Sequence, residues 1–352
     1  MADANPVLVE VTRGSVVESC HRGAIAIADA EGRSVLALGH VERAVFPRSA
    51  VKAMQAIPLI ESGAADAFGL GDEELAVACA SHGGEAIHVA AVRSLLAKAR
   101  IDEGLLACGA HWPLGEAEAR ELVRRGQPPQ PIHNNCSGKH AGMLATAAHL
   151  GLRLQGYELP EHEVQIAIAR VMSEICGVHL DRAQMGIDGC SVPTFALPLN
   201  ALATGFARLA GAHALSSPRR NAAQRLMGAC FAAPVLVAGE GRFDTIVMGG
   251  LAPHVFVKGG AEGVHCAALP ELGWGLALKL DDGAKRGADA AMAHVLAALI
   301  PKAQGVLADY LEGDLRNWRG KRVGRVRPSA ALLDAVAELA RCHDFAAPSV
   351  HR

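Results

Sequence analysis

The sequence predicts an α/β protein in which one lobe is built on an antiparallel sheet and a mainly helical lobe is inserted into it. Strand-like patterns lie near both ends of the 352-residue chain, and helical patterns fill its middle. Apolar residues make up 51% of the chain and aromatic residues only 4%, which favours a helix-rich globular enzyme. We expect residues 1–62 and 240–352 to form the α/β lobe and residues 63–239 the helical lobe, with the active site at the seam.

The first part of the sheet is predicted by three short runs rich in β-branched and other apolar residues, at 7–11, 24–28 and 34–38. Residues 31–33 (Glu-Gly-Arg) suit a hairpin turn between the last two runs. A helical pattern then starts at Ser49 and stops at residues 62–63 (Ser-Gly).

Helical periodicity dominates the middle of the chain, at residues 72–81, 85–100, 114–125, 139–150, 160–176, 201–209 and 218–230. Strand patterns return at residues 245–248, 254–258 and 275–279. Two further helices are predicted, at residues 288–300 and 330–340. The basic segment between them, residues 313–329, is predicted to be a solvated loop.

Charge and targeting signals exclude several classes of protein. The net charge is −2 and the isoelectric point about 6.8, so no basic face for nucleic acid is expected. No apolar run is long enough to span a membrane, and residues 1–6 lack the pattern of a secretory signal. The nine cysteines are odd in number and scattered, which favours a reducing, cytoplasmic location.

A serine and a lysine one helical turn apart suggest nucleophilic chemistry. Ser49 precedes Lys52 by three residues, so the two share a helix face. A lysine can take the proton of a serine hydroxyl if burial or a second cation lowers its pKa, and Arg48 is close in sequence. A helix-capping serine beside a solvated lysine would give the same pattern, so the pair alone is weak evidence.

Two later stretches strengthen this interpretation. Serine β-lactamases and penicillin-binding proteins carry the acyl-transfer motifs S-x-x-K, S-D-N and K-T-G in that order. Here Ser49 and Lys52 are followed by Ser81 in a Ser-His-Gly stretch, and then by Lys258 in a Lys-Gly-Gly stretch. The order of the motifs is the same, but the residues inside the second and third motifs differ.

Two turn-like stretches suggest a thiol or metal site. Cys136 lies among residues 132–143, which are dense in polar groups, and Cys190 follows Asp188 in a second turn. If the stretches meet, the two thiols of a reducing compartment are more often metal ligands or redox partners than a disulfide. Zinc takes sulfur and nitrogen ligands, and further candidate ligands are His133, His140 and Asp188. Two buried cysteines without a metal are an equally simple interpretation.

With these stretches in view, the sequence resembles the L-asparaginase II family of the Rhizobium etli type. The matching segments run in order through nearly the whole chain, at residues 46–52, 80–85, 134–143, 188–193, 258–264 and 278–283. The resemblance implies a fold like that of serine β-lactamases and glutaminases, and a homodimer. It also implies two Ser–Lys pairs and one zinc ion per chain. The residues concerned are Ser49 with Lys52, Ser81 with Lys258, and the zinc ligands Cys136, Lys139 and Cys190.

The expected reaction is hydrolysis of L-asparagine to L-aspartate and ammonia. Ser49 would be the nucleophile, Lys52 its base, and Ser81 with Lys258 a proton-relaying pair. Arg48, His140 and Asp188 are candidates for binding the amino-acid carboxylate and amine, and zinc would not be directly catalytic. The alternatives are a glutaminase, a β-lactamase-like amidohydrolase or esterase, and a non-enzymatic zinc or thiol-binding protein.

Overall fold

The computed structural model describes residues 4–211 and 215–342. Part of the N-terminal segment in which we found no secretory signal, residues 1–3, lies outside the described residues. In the described part of the chain, no helix is long and apolar enough to cross a membrane.

The structure contains a large antiparallel sheet and two small strand pairs. Its strands are β1 (Val7–Arg13), β2 (Val16–Asp29), β3 (Ser34–Leu38), β4 (Ala44–Val45), β5 (Met185–Ile187), β6 (Pro193–Phe195), β7 (Leu197–Pro198), β8 (Phe256–Gly259), β9 (Val264–Leu269), β10 (Trp274–Leu280), β11 (Asp314–Arg316) and β12 (Arg322–Pro328). The order in the large sheet is β11-β12-β1-β2-β10-β9-β8, and β3 also pairs with β2. Every pairing is antiparallel.

Strand β2 organises the sheet because it is long enough to change partners along its length. Residues 16–22 pair with β1, whereas residues 23–29 pair with β10 and, over part of that length, with β3. Register shifts interrupt the β1–β2 pairing at two places, and such irregularities bend a sheet and increase its twist. The N-terminal and C-terminal strands of the chain thus form one curled sheet.

Helices fill the rest of the chain. They are α1 (Lys52–Glu61), α2 (Ala64–Ala67), α3 (Asp72–Ala78), α4 (Ala86–Lys98), α5 (Glu116–Arg124), α6 (Ser137–His149), α7 (Glu163–Cys176), α8 (Leu199–Leu209), α9 (Ser217–Ala232), α10 (Pro234–Val237), α11 (Phe243–Leu251), α12 (Lys285–Leu299), α13 (Ala303–Val306), α14 (Ala308–Glu312) and α15 (Ala330–Cys342). Short 3₁₀ turns occur at Arg48–Val51, Glu103–Leu105, Pro131–His133 and Arg182–Gln184.

Helices cover both faces of the sheet. Helix α8 crosses β10 at Gly275, where an added Cβ would lie 2.0 Å from the carbonyl oxygen of Ala203, so only glycine allows this approach. Leu280, five residues along the same strand, contacts α12 at Gly287 on the other face, because successive residues of a strand alternate in direction. Helix α1 packs against α6, α7 and α9. The buried apolar side chains of the sheet and of the helices form one continuous core.

The predicted mixed class, with an antiparallel sheet and a largely helical middle, is confirmed. Three local predictions were wrong. Residues 245–248 belong to helix α11 and not to a strand, and residues 313–329 contain β11 and β12 and not only a loop. Strand β9 was not predicted at all. The division of the chain into lobes at residues 62 and 239 stays a prediction.

Candidate active site

Ser49 lies in a 3₁₀ turn that leads directly into helix α1. The turn spans Arg48–Val51, and the α-helix begins at Lys52, three residues later than the sequence pattern predicted. In a 3₁₀ turn, side chains three residues apart eclipse one another, so Ser49 and Lys52 still project to the same side. Arg48 has φ of +52°, a left-handed conformation that is unusual outside glycine and is maintained only where the surroundings enforce it.

The end of strand β8 packs against the 3₁₀ turn that carries Ser49. An added Cβ at Gly260, just beyond the end of β8, would lie 2.7 Å from the carbonyl oxygen of Pro47 and 3.3 Å from the amide nitrogen of Ala50. The backbone that follows Lys258 therefore touches the turn that carries Ser49. This contact brings the third predicted motif beside the first.

Lys52 is completely buried and is held by backbone carbonyls. Its Nζ donates to the carbonyl oxygen of Ala80 at 2.5 Å and to that of Asn135 at 3.3 Å. Burial lowers the pKa of Lys52 below the ordinary lysine value, and the charges of Lys139 and Lys258 lower it further, although the Cys136 thiolate opposes them. Lys52 is thus the kind of lysine that can act as a base.

Ser81 lies opposite Ser49, at 3.4 Å between the two hydroxyl oxygens, with Ser81 as donor. The side-chain amide of Asn135 donates to Ser81 Oγ at 3.1 Å, and the Ser81 amide donates to the carbonyl of Val237 at 2.8 Å. The sequence pattern predicted that Ser81 is the last residue of a helix. Helix α3 ends at Ala78, so Ser81 lies in the irregular segment beyond the helix.

Lys258 is buried at the end of β8, but it does not bond to Ser81 in the described structure. Its Nζ donates to Asp244 Oδ2 at 3.0 Å and to the carbonyl of Gly259 at 3.1 Å. Asp244 projects from α11, the element that was predicted to be a strand. The structure thus brings Ser49, Lys52 and Ser81 together and places Lys258 next to an acidic partner.

Cys136 and Cys190 meet, as we expected if their two stretches were adjacent. Their thiols form a hydrogen bond, which holds the pKa of Cys136 well below its usual range and raises that of Cys190. Lys139 Nζ donates to Cys190 Sγ at 3.0 Å. Burial alone would lower the pKa of Lys139, but the two thiol groups raise it overall. Two sulfurs and one nitrogen therefore converge at one point.

Asn134 shapes the backbone that carries these groups. Its side-chain oxygen accepts from the Cys136 amide at 2.8 Å, and its side-chain nitrogen donates to the carbonyl of Cys108 at 2.8 Å. Such a local side-chain bond replaces the backbone partners that are missing before a helix begins. Helix α6 consequently starts at Ser137, two residues earlier than predicted, and Lys139 lies in its first turn.

Arg48 and Asp188 form an ion pair at the same place. The guanidinium Nε and one terminal nitrogen of Arg48 each lie 2.8 Å from Asp188 Oδ1. Burial would raise the pKa of Asp188, but Lys139 and Arg48 outweigh it, so the carboxyl keeps its charge. The two predicted substrate-binding residues thus present opposite charges side by side.

His140 is fully buried next to Tyr157. The tyrosine hydroxyl accepts from the Ala107 amide at 3.0 Å and lies 2.5 Å from His140 Nδ1. When the hydroxyl donates to Nδ1, the ring proton of His140 is on Nε2. No partner of Nε2 is found among the described residues. In that tautomer His140 offers a donor to a bound molecule.

The other metal ligands that the residue pattern suggested do not join the cysteines. His133 accepts from the Gln130 amide at 3.0 Å, His140 bonds Tyr157, and Asp188 bonds Arg48. Within residues 4–211 and 215–342, no group of three or more histidine, cysteine, aspartate and glutamate side chains is placed to hold a metal ion. A metal at Cys136 and Cys190 would therefore need Lys139 as a ligand.

Residue patterns alone missed several groups that the structure brings into the site. Asn135 lies in the matching segment 134–143 but had no predicted role, and Tyr157 gave no signal in the sequence. The sequence did not indicate a role for Asp244 or His265, because residues 245–248 have the pattern of a strand and strand β9 was not predicted. Their signal is a charged or imidazole residue within an otherwise apolar run, which usually means a buried partner.

A buried lysine beside two facing serine hydroxyls, on a mixed α/β fold, defines a class of site suited to acyl transfer. The comparisons with known proteins make the assignment more specific. The family model of L-asparaginase II matches residues 9–328. The chain therefore belongs to the L-asparaginase II family, and this membership implies an amidohydrolase that acts on an asparagine-type substrate.

Two solved structures are also similar to this chain. One, described as Mglu in its native form in the presence of 4.3 M NaCl, is 15% identical with a TM-score of 0.40, over 78% of this chain and 60% of that one. The other, a β-lactamase from Mycobacterium bovis, is 12% identical with a TM-score of 0.38, over 82% of this chain and 94% of that one. No curated protein matches the sequence of this chain.

Proposed function

We propose that this protein hydrolyses L-asparagine to L-aspartate and ammonia through an acyl-enzyme. The observation that carries the proposal is the pair of hydroxyls, Ser49 and Ser81, 3.4 Å apart, with the buried Lys52 bonded to the carbonyl of the residue before Ser81. Membership of the L-asparaginase II family supports the choice of an amide substrate. A non-enzymatic thiol protein would have no use for this arrangement.

In the acylation step, Ser49 Oγ attacks the side-chain amide carbon of asparagine and Lys52 takes the hydroxyl proton. The carbonyls of Ala80 and Asn135 accept two N–H bonds of Lys52 and orient its amine. The Ser49 amide is our candidate donor to the oxyanion. As the C–N bond breaks, the proton taken up by Lys52 passes through Ser81 to the leaving nitrogen, which departs as ammonia. Water then attacks the Ser49 ester and gives a proton to Lys52, and that proton returns to Ser49 Oγ as aspartate is released.

An amino acid carries a carboxylate and an ammonium group, and the site offers groups of both signs. Arg48 would bind the substrate carboxylate and Asp188 the ammonium, since each keeps its charge in the ion pair. The Nε2–H of His140 is a further donor and would face an oxygen of the substrate. Because these groups are arranged for the common part of asparagine and glutamine, they do not by themselves choose between the two.

We also propose one zinc ion per chain, held by Cys136, Cys190 and Lys139. The donor set fits: two hydrogen-bonded thiols and an amine 3.0 Å from one of them match the sulfur and nitrogen ligands that zinc prefers. When bound, zinc would neutralise the thiolates and join the two loops. Lys139 would bind as a neutral amine after losing a proton.

The expected homodimer and the cytoplasmic location stay predictions. Light scattering tests the first: a dimer has twice the chain mass of 36.6 kDa. Fractionation of the cells that produce the protein tests the second.

The test of function is a side-by-side assay of the purified protein on L-asparagine, L-glutamine and a chromogenic lactam, with ammonia release measured for the two amides. We expect asparagine to be the best substrate. Preference for glutamine would keep the acyl-transfer mechanism and change the substrate. Turnover of the lactam alone, or no turnover at all, would refute the proposed function. Ser49→Ala is the control for contaminating activity.

A further inference from the structure

A row of charged and polar groups starts at the buried Lys258. Lys258 is 1% exposed and Asp244 7% exposed. One oxygen of Asp244, Oδ2, accepts from Lys258 Nζ at 3.0 Å and from the Gly259 amide at 3.1 Å. The carboxylate therefore binds both the side chain and the backbone at the end of β8.

The second oxygen of Asp244 is held by His265. His265 is 3% exposed on β9, and its Nε2 lies 3.2 Å from Asp244 Oδ1. Its ring also packs against Phe243, with 5.0 Å between ring centroids. Because Nε2 faces a carboxylate oxygen, it is the nitrogen that carries a proton and donates.

The row continues to the surface through Asp289. His265 Nδ1 lies 3.6 Å from Asp289 Oδ1, and neither atom has another hydrogen-bond partner in the described structure. The second oxygen of Asp289 pairs with Lys285, whose side chain is 61% exposed. The row thus reaches the surface at Lys285.

We propose that Asp244 is a positioning residue that holds Lys258 as a cation beside the serine pair, and that His265 in turn holds Asp244. The proposal rests on the proposed function for its catalytic meaning. Asp244 Oδ2 lies 3.0 Å from Lys258 Nζ and both side chains are buried, so this ion pair fixes the position of the lysine amine. The pKa of Asp244 agrees: burial would raise it, but Lys258 and His265 hold it well below its usual range.

This arrangement changes the role expected for Lys258. Lys258 bonds to Asp244 and not to Ser81, so it is placed as a stationary charge that interacts with Lys52 and not as the partner of Ser81. The backbone at Gly260, two residues after Lys258, contacts the turn that carries Ser49 and so links the two segments. Asp244 and His265 act through Lys258 and do not touch the substrate.

The kinetic test compares matched variants of the whole enzyme. Asp244→Asn keeps the shape and removes the charge, and we expect kcat to fall by about 10- to 100-fold while KM changes by less than about threefold, because transition-state stabilisation and not binding is lost. Asp289→Asn, the control at the far end of the row, should keep kcat within about threefold.

Two further pairs of variants separate positioning from packing. In His265→Gln the amide nitrogen can replace Nε2 as donor to Asp244, so activity should largely remain, whereas His265→Leu should resemble Asp244→Asn. Lys258→Arg keeps a cation and should retain more activity than Lys258→Met. The proposal is overturned if the two His265 variants lose the same amount of activity. It is also overturned if Lys258→Arg is folded but inactive while Asp244→Asn is fully active.

Thermal unfolding tests the ion pair without any substrate. Asp244→Asn and Lys258→Met should each lower Tm by roughly 5–10 °C, because each leaves a buried charge unpaired, and the double variant should recover a large part of that loss. Additive losses in the double variant would show that no buried pair exists. If the variants show this coupling but the wild-type protein does not hydrolyse asparagine, the proposed function is refuted and the Lys258–Asp244 pair still stands.

Discussion

The base is the part of the mechanism that a single substitution tests most directly. Replacing Lys52 by arginine keeps a positive charge and hydrogen-bond donors for the carbonyls of Ala80 and Asn135. Arginine cannot lose its proton in a protein, so it cannot accept the proton of Ser49. If Lys52 is the base, Lys52→Arg should lose most of kcat.

The structure sets the size of the effect. At pH 7.5, a lysine with the ordinary pKa of 10.5 is neutral in about one molecule in a thousand, and each unit by which the pKa falls makes the neutral form about tenfold more common. Burial and the charge of Lys258 both lower the pKa of Lys52. The activity of the wild type should therefore rise by about tenfold per pH unit on the acidic side and level off below pH 10.5.

The assay is kcat and kcat/KM for asparagine across this pH range, for the wild type, Lys52→Arg and Lys52→Met. Removing the base should cost about 10²- to 10⁴-fold in kcat for both variants. Circular dichroism and Tm check that each variant is folded, since methionine leaves the carbonyls of Ala80 and Asn135 unpaired at about 1–3 kcal/mol each. A Lys52→Arg enzyme with more than about a tenth of the normal kcat, or a flat pH profile in the wild type, would refute this role.

Three other predictions address the surroundings of the base. Cys136→Ala should lower the zinc content from about one per chain and raise KM more than it lowers kcat; full zinc occupancy by elemental analysis would remove Cys136 from the site. Gly260→Ala should reduce kcat by about tenfold, because its Cβ displaces the Pro47 carbonyl, whereas Gly228→Ala, with no neighbour within 4 Å, should leave kcat unchanged. Arg48→Met should raise the KM for asparagine by about 10- to 100-fold, and an unchanged KM would exclude carboxylate binding by Arg48.

The sequence predicted the fold best where periodicity and burial agree. The runs that lie in β1, β2 and β10 are predicted well because apolar residues mark their buried positions. Residues 245–248 (Thr-Ile-Val-Met) were misassigned because these residue types favour strands, and the contacts of α11 with β8 and α13 override that preference. The basic strand β12 was missed because its inward residues are few and its arginines dominate the pattern.

The site was predictable within each local stretch and much less so between stretches. The three-residue spacing of Ser49 and Lys52 correctly put them on one side of a turn. That Ser81 faces Ser49 was implied only by the resemblance to a family, because no spacing rule joins positions 32 residues apart. The pairing of Lys258 with Asp244 depends on how β8 and α11 pack, and neither propensity nor periodicity describes such packing.

The choice of nucleophile between Ser49 and Ser81 depends on the hydrogen bonds that the structure provides. The sequence pattern predicts Ser81 at the carboxyl end of a helix, where an oxyanion would be repelled, which favours Ser49. Helix α3 ends at Ala78, so this argument does not apply. The hydrogen bonds favour Ser49 for a different reason. Asn135 donates to Ser81, and Ser81 donates to Ser49, so the proton of Ser81 is already directed at the other oxygen.

In this arrangement Ser49 Oγ accepts the hydrogen bond from Ser81, and the hydroxyl proton of Ser49 is free to transfer to a base. Ser49 should therefore carry the acyl group and Ser81 should carry protons. Mass spectrometry of enzyme treated with an electrophilic asparagine analogue such as a diazo-ketone should find the adduct on the peptide that contains Ser49. Ser81→Ala should still form it, with turnover reduced by about 10²- to 10⁴-fold. An adduct on Ser81 that persists in Ser49→Ala would exchange the two roles, because the hydrogen bond between the serines would then have to run in the opposite direction during the reaction.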